Sequence, residues 1–343
     1  NILREAVPFN MEADSLNCII LGKDAAPGTP EFDLFIKEVR KEITVKCGQK
    51  CTAVRRIIVP EAYIDDTQAA ISKSLEGIVI GDPRNEDVRM GALAGQEQVK
   101  EVQGRLQELM TFSQLVYGNP EDFDVALGSK AKGAYLPPML LRNDTPFEHT
   151  GTHEIEAFGP ISTLMPYATM EDAIELARKG RGSLCSSIVT YDDHIAREYV
   201  INAATHHGRI LVLNRNSAKE STGHGSPMPL LVHGGPGRAG GGEEMGGLRG
   251  IKHYMQRCAI QGSPTTITAL TNQYQYGGKY EEGHVHPFKK HFDELVIGET
   301  LITHKRTITD ADVVNFANVS WDHFYAHADA TSLEGTPFTQ RVA

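Results

Sequence analysis

From Leu16 to about residue 261 the chain alternates short apolar runs with amphipathic stretches, and this alternation restricts the fold more than any other feature. Residues 18–21, 57–59, 161–167, 186–191 and 209–214 read as strands. Between them, residues 30–46 place Phe32, Phe35, Ile36, Val39 and Ile43 at helical spacing. Residues 96–112 do the same with Val99, Val102, Leu106, Leu109 and Met110. Residues 66–75, 170–178 (with Asp172 in the first turn) and 194–204 complete the helices. Strands alternating with helices predict an α/β layered domain built on a largely parallel sheet.

A length of 343 residues suggests two or three domains, and 40% hydrophobic with 23% charged residues is a globular composition. No apolar run approaches the roughly 18 residues that span a bilayer, and no secretory signal opens the chain. The expected location is therefore cytoplasmic, with no membrane partner. The first residues, Asn-Ile-Leu-Arg-Glu, lack an initiator Met and residues 340–343 stop in mid-pattern. Both ends are expected to be cut from a longer protein. A net charge of −10 argues against nucleic acid and anionic membrane as general partners, while leaving room for local basic pockets that hold a phosphate-bearing ligand. Five widely spread cysteines (Cys18, Cys47, Cys51, Cys185, Cys258) are expected to be free thiols. Cys47 and Cys51 lack a second pair at metal-site spacing, which argues against zinc.

Residues 234–250 are rich in glycine and have two readings: a phosphate cradle, or a loop crossing the surface. They carry neither a dinucleotide fingerprint nor a Walker lysine-serine. Residues 253–260 read as an extended arm. Composition shifts over 262–285, which reads as a linker, and a second unit begins near His286. Its expected elements are strands at 295–297 and 301–303, a turn at Gly298-Glu299, and a helix capped by Thr309-Asp310 with Val313, Val314, Phe316 and Ala317 on one side.

Three segments offer chemistry. In Gly48-Gln49-Lys50-Cys51-Thr52, the cysteine has Lys46, Lys50, Arg55 and Arg56 as sequence neighbours, and cations favour the nucleophilic thiolate. Glu12 stands before the first strand, where a carboxylate beside apolar groups can serve as a general base. Glu156 lies in Glu156-Ala157-Phe158-Gly159-Pro160. Each alone fits a plain reading as well: a buried free thiol, a solvated turn residue, a simple turn.

Together and in this order, the three segments resemble the aldehyde dehydrogenase superfamily. Gly81-Asp82-Pro83, Met90-Gly91-Ala92-Leu93, Gly133-Ala134-Tyr135-Leu136-Pro137-Pro138 and the strand ending at Asn214 are similar to further family motifs. The resemblance runs from residue 1 to about 261. It implies that Cys51 attacks an aldehyde, that Glu12 activates the hydrolytic water, and that Glu156 and Phe158 hold the nicotinamide end of NADP, or of NAD. It also implies an upstream cofactor-binding half and oxyanion asparagine before Asn1, and an oligomerisation arm at 251–260 that makes the protein at least a homodimer. Ala13-Asp14-Ser15 depart from the family's glycine turn after the glutamate, and Arg215-Asn216-Ser217 are unusual after Asn214.

The second unit places Asp322 and His327 where one water could be held and deprotonated between them. A chance polar turn is the plain alternative. With Phe292-Asp293-Glu294-Leu295 and Thr309-Asp310-Ala311-Asp312-Val313 before it, the segment resembles MaoC-like enoyl-CoA hydratases of the α+β hot-dog fold. Phe324-Tyr325-Ala326 replace the family's middle residues, so a different substrate pocket is expected. The two modules in this order resemble the bifunctional ring-opening enzymes of bacterial phenylacetate degradation. That resemblance implies domains at 1–261 and 286–343 joined by 262–285, and a CoA-thioester substrate. It also implies that oxepin-CoA is hydrolysed by the second module and that the semialdehyde-CoA is oxidised by the first. Two alternatives stay open: a monofunctional dehydrogenase with a non-catalytic C-terminal interaction module, and a structural subunit with a dead dehydrogenase fold.

Overall fold

The computed structural model describes residues 2, 4, 5, 9, 11–226, 228, 231, 233–241, 247–271, 273, 275–279, 290–295, 297, 307–324, 327 and 329–334. The chain divides into two compact units, Asn1–Gln256 and Arg257–Ala343.

In the first unit the strands are β1 (Cys18–Leu21), β2 (Arg56–Pro60), β3 (Gln114–Tyr117), β4 (Met139–Arg142), β5 (Ile161–Tyr167), β6 (Ser183–Val189) and β7 (His207–Leu213). They form one sheet in the order β3-β4-β5-β2-β1-β6-β7, parallel throughout except for the antiparallel β3–β4 pair at one edge. The helices are α1 (Pro30–Thr44), α2 (Ile64–Glu76), α3 (Gln96–Leu109), α4 (Met170–Arg178), α5 (Asp193–Ala203) and α6 (Leu248–His253).

Successive strand side chains point to opposite faces, and the core follows that rule. Ile19, Leu21, Ile57 and Val59 pack with Phe32, Phe35, Val39 and Ile43 of α1 and with Ile71 and Leu75 of α2. Cys18, Ile20 and Ile58, the alternate residues, pack with Ile174 and Ala177 of α4 and Tyr199 and Ala203 of α5. A third cluster sets Val99, Val102, Leu106 and Leu109 of α3 against Met139, Leu141 and Ile161.

Local chemistry fixes the helix ends. Thr29 caps α1 by accepting from the Phe32 N–H at 3.2 Å, with Pro30 opening the helix. Thr169 and Asp172 form a reciprocal capping box on α4. α1 stops at Thr44 instead of continuing to residue 46, because Lys46 and Cys47 take left-handed backbone (φ 53° and 56°) and turn the chain sharply into the segment that carries Cys51.

Several expectations are corrected. The sheet has two strands, β3 and β4, that the periodicity did not announce. The first part of the glycine-rich zone is packed rather than loose: a Cβ on Gly235 would meet the Ser183 carbonyl at 2.3 Å, and one on Gly208 the Gly234 carbonyl at 1.7 Å. The arm at 251–260 begins as the end of α6, and only beyond it does regular structure cease. The span read as a linker contains a helix, α7 (Pro264–Thr271).

In the second unit, Thr309 caps α8 (Asp310–Ser320) through a capping box with Asp312, as expected. α8 buries Val313 and Ala317 but leaves Val314 and Phe316 exposed, so its apolar side is narrower than the sequence suggested. The strands expected at 295–297 and 301–303 and the Gly298-Glu299 turn lie outside the described residues, apart from Leu295 and Ile297. No helix among the described residues is long and apolar enough to cross a membrane.

Candidate active site

Glu12, Cys51, Glu156 and Leu184 stand just before or at the start of β1, β2, β5 and β6, which are four adjacent strands. The sheet therefore gathers these segments at its amino-terminal edge. A cavity of about 450 Å³ opens there, lined by Glu12, Asp14, Cys51, Glu156 and Phe158, with Gln98 and Arg105 from α3 on its far wall.

Cys51 is exposed, whereas Cys47 is buried and donates its thiol to the Gly91 carbonyl at 2.9 Å. Burial pushes the Cys47 thiol up to about 11, so it stays a neutral packing group. The sharp turn between them needs Gly48: its φ is +67°, and a Cβ there would lie 2.2 Å from the Gly159 carbonyl oxygen. Gln49 pins the same segment from both ends of its amide. Its Oε1 accepts from the Ala94 N–H at 2.8 Å, and its Nε2 donates to the Phe158 carbonyl at 3.3 Å.

The four cations near Cys51 in sequence are placed differently by the structure. Arg55 sits close enough for mutual electrostatic influence with Cys51. It donates to the Gly48 and Gly159 carbonyls, each at 2.8 Å, and pairs with Glu156 at 3.1 Å. Arg56, the next residue on the strand, necessarily points to the other face. There it donates to the carbonyls of Leu16, Leu176 and Ala177, the last two in the final turn of α4. Lys50 is taken up by Glu42 at 2.6 Å, and Lys46 is exposed.

The Glu12 segment departs from the family's glycine turn, and the structure shows what replaces it. Asp14 is ion-paired to Arg238, whose side chain also donates to the Glu154 carbonyl at 2.7 Å and whose own carbonyl accepts from the Ala13 N–H at 3.1 Å. The Ser15 N–H donates to Glu156 Oε2 at 3.2 Å. Gly240 closes over the segment, where a Cβ would meet the Met11 carbonyl at 2.3 Å. The other departure has a structural partner too. Arg215 donates through Nε and its backbone N–H to Glu31 Oε1, at 2.9 and 3.0 Å.

Two residues that the sequence did not single out tie the parts together. Asn17, fully buried, donates to the Cys51 and Ala53 carbonyls at 2.9 and 3.0 Å and accepts from the Cys185 N–H at 3.0 Å. His233 is buried with its Nε2 3.8 Å from Cys51 Sγ. Its place just before the close-packed Gly234-Gly235 pair is the one signal of it in the sequence.

Burial raises the Glu156 carboxyl, and the Arg55 charge and the Ser15 N–H counter that rise. Each Glu156 oxygen accepts one bond from the protein, and a carboxylate has about four lone-pair positions. Acceptor capacity therefore remains on the cavity side for sugar hydroxyls. The Phe158 ring lies beneath the Arg55 guanidinium, 5.2 Å from centroid to carbon, and presents an apolar wall. These residues fit the nicotinamide-ribose end of a dinucleotide.

In the second unit, Asp322 and His327 are brought together, Oδ2 to Nε2 at 3.6 Å. Trp321 ends α8 in left-handed backbone, which turns the chain so that Asp322 Oδ1 accepts from the Phe324 N–H at 3.2 Å. His327 is mostly buried and Asp322 half exposed. Tyr325 and Ala326 lie outside the described residues.

Comparison with known proteins places the chain in a family. The model of the aldehyde dehydrogenase family matches residues 4–260, and that of the MaoC like domain matches residues 293–343. The chain is 49% identical over 254 residues to "Protein MaoC" of Klebsiella aerogenes, covering 74% of each chain. It is 42% identical over 236 residues to 3,4-dehydroadipyl-CoA semialdehyde dehydrogenase of Aromatoleum evansii, covering 69% of this chain and 46% of that one. Among solved structures, betaine aldehyde dehydrogenase of Staphylococcus aureus superposes with a TM-score of 0.63 at 21% identity, over 74% of this chain and 46% of that one. The 3,6-anhydro-L-galactose dehydrogenase does so with 0.60 at 22%, over 72% and 47%. At such identities the structures speak for the fold alone, and the chain spans less than half the length of these last three proteins. The chain belongs to the aldehyde dehydrogenase family and carries a MaoC-like domain behind its dehydrogenase portion.

Proposed function

We propose that the protein is a bifunctional enzyme of aerobic phenylacetate catabolism, which opens oxepin-CoA by hydrolysis and oxidises the resulting semialdehyde-CoA to the acid with NADP. The observation that carries the oxidative half is an exposed Cys51 lining one cavity with Glu12. The Cys51 sulfur adds to the aldehyde carbon, forming the C–S bond of a thiohemiacetal. A nicotinamide cofactor, when bound, supplies the hydride acceptor. Glu156 offers its free acceptor positions to the ribose hydroxyls, and Phe158 walls the ring. Glu12 takes a proton from the water that attacks the acyl-thioester, and the C–S bond breaks to release the acid. NADP is favoured over NAD only by the resemblance to ring-opening enzymes.

The Asp322–His327 pair supports the hydrolytic half. Held between carboxylate and imidazole, a water adds across the enol-ether double bond, and the hemiacetal so formed opens to an aldehyde. The product of one half is thus the substrate of the other. A relative named for a CoA-bound semialdehyde, at 42% identity, favours a CoA-thioester substrate. The competing reading, a dehydrogenase with a non-catalytic C-terminal module, is separated by one experiment. Asp322→Asn in the intact protein abolishes ring opening and leaves oxidation of added semialdehyde-CoA unchanged; ring opening that survives the change favours the competitor. We also propose a cytoplasmic homo-oligomer, at least a dimer, joined through 251–260, where Ile251, Tyr254, Met255 and Ile260 are exposed. Charge reversal at these positions, read by mass photometry, tests that assembly.

A further inference from the structure

His233 belongs to none of the roles above, yet its Nε2 is 3.8 Å from Cys51 Sγ. We propose that His233 is the proton acceptor that ionises Cys51, making the nucleophile a cysteine–histidine pair; this rests on the reading of Cys51 as the attacking sulfur.

The position is built, not incidental. Gly234 and Gly235 lie so tightly on the first residues of β6 and β7 that no side chain fits between. A Cβ on Gly208 would collide with the Gly234 carbonyl, and one on Gly235 with that of Ser183. The Gly235 N–H donates to the Gly240 carbonyl at 2.9 Å, closing the glycine segment on itself. The backbone next to His233 is thereby fixed, and Asn17 and Gln49 fix the Cys51 segment that its imidazole meets.

A thiol at its ordinary pKa, about 8.5, is only a few per cent thiolate at neutral pH. Among the charged groups around the segment, Arg55 favours the thiolate while the carboxylates oppose it. Lys50 is neutralised by Glu42, Arg55 is shared with Glu156, and Glu12 and Glu156 place carboxylates on the same cavity. An imidazole within reach can take the thiol proton without changing the net charge of the pair. The proton passes from Cys51 Sγ to His233 Nε2, and the sulfur lone pair forms the C–S bond as the carbonyl π bond opens. When that bond breaks on hydrolysis, the sulfur leaves as the thiolate and the proton returns to it from His233. No further reactant is needed.

The test is the rate of iodoacetamide alkylation of Cys51 against pH, followed by peptide mass spectrometry in the intact protein, for wild type, His233→Gln and His233→Asn. An unchanged circular dichroism spectrum and an unchanged urea midpoint certify that each variant is folded. The expected result is an alkylation midpoint raised by about one pH unit in both variants. The rate at pH 7 then falls about tenfold, and aldehyde oxidation recovers at pH 9, where the thiol ionises unaided. A lesion that only disturbed packing would not be rescued by pH. An unchanged alkylation profile in both variants overturns the role of His233. Failure of the nucleophile reading shows differently: Cys51→Ala would keep aldehyde oxidation, whatever the histidine variants do.

Discussion

Arg55 Nε and Glu156 Oε1 lie 3.1 Å apart, and this ion pair joins the segment that carries the nucleophile to the segment expected to hold the cofactor. Both side chains are nearly buried. Arg55 is also the hydrogen-bond donor that holds the Gly48 and Gly159 carbonyls. Removing it would leave a buried carboxylate without its counter-charge and take a donor from the Gly48 and Gly159 carbonyls. Arg55→Ala is expected to destabilise the fold by about 3–5 kcal/mol, read as a lower urea midpoint. Arg55→Lys should recover only part, because an ammonium cannot span three acceptors in the guanidinium's fixed fork.

Glu12→Gln is expected to separate the two stages of oxidation. Reduced cofactor should appear as a burst of about one equivalent per site, followed by turnover slowed by about 10²–10⁴-fold, the range for losing a general base. Stopped-flow absorbance at 340 nm reads this directly. A uniform slowing with no burst would mean that Glu12 acts before hydride transfer.

Gly48→Ala places a methyl where the Gly159 carbonyl stands, in a backbone region that disfavours it. The Cys51 segment must shift, so loss of aldehyde oxidation should be accompanied by a changed rate of Cys51 alkylation. Normal oxidation in this variant would show that the turn does not position the sulfur.

His153, His207 and His224 are buried and held neutral, each pushed down to about 3, first by burial. His153 shows the arrangement: its Nε2 donates to the Pro146 carbonyl at 2.8 Å while Nδ1 accepts from Arg56 at 3.2 Å. In the unfolded chain these rings take protons near 6.5, so below that pH the unfolded state binds more protons than the native one. Their contribution is complete above about 6.5 and is lost as pH falls towards 3. The urea midpoint should therefore decline steadily over that window, with net proton uptake on unfolding. A flat midpoint between pH 6.5 and 4 would contradict it.

Much of this was legible before any coordinates. β5 and α4 have the bounds read from periodicity and capping, because β5 is a long, almost wholly buried strand and α4 opens on a capping box. β3 and β4 escaped notice for opposite reasons. Gln114–Tyr117 is a half-exposed edge strand, and Met139–Arg142 is four residues long behind two prolines; each exists through pairing rather than propensity. α7 was hidden by its threonines, which are poor helix formers. At the site, Glu12, Cys51, Glu156 and Phe158 were named from motif order and share one cavity. What holds them was not readable: Arg55–Glu156, Asp14–Arg238 and Cys51–His233 join residues 101, 224 and 182 positions apart. The reliance on nearby lysines and arginines for Cys51 misjudged strand alternation, which turns Arg56 away to cap α4.

The most direct test of the account is to find where the substrate becomes covalently attached. Glu12→Gln protein is mixed with the semialdehyde-CoA and NADP, quenched with acid during turnover, digested, and its peptides weighed. The account predicts the acyl mass on the peptide containing Cys51, absent when Cys51 is changed to alanine. Continued oxidation with that peptide unmodified, or the acyl group on another residue, would contradict it.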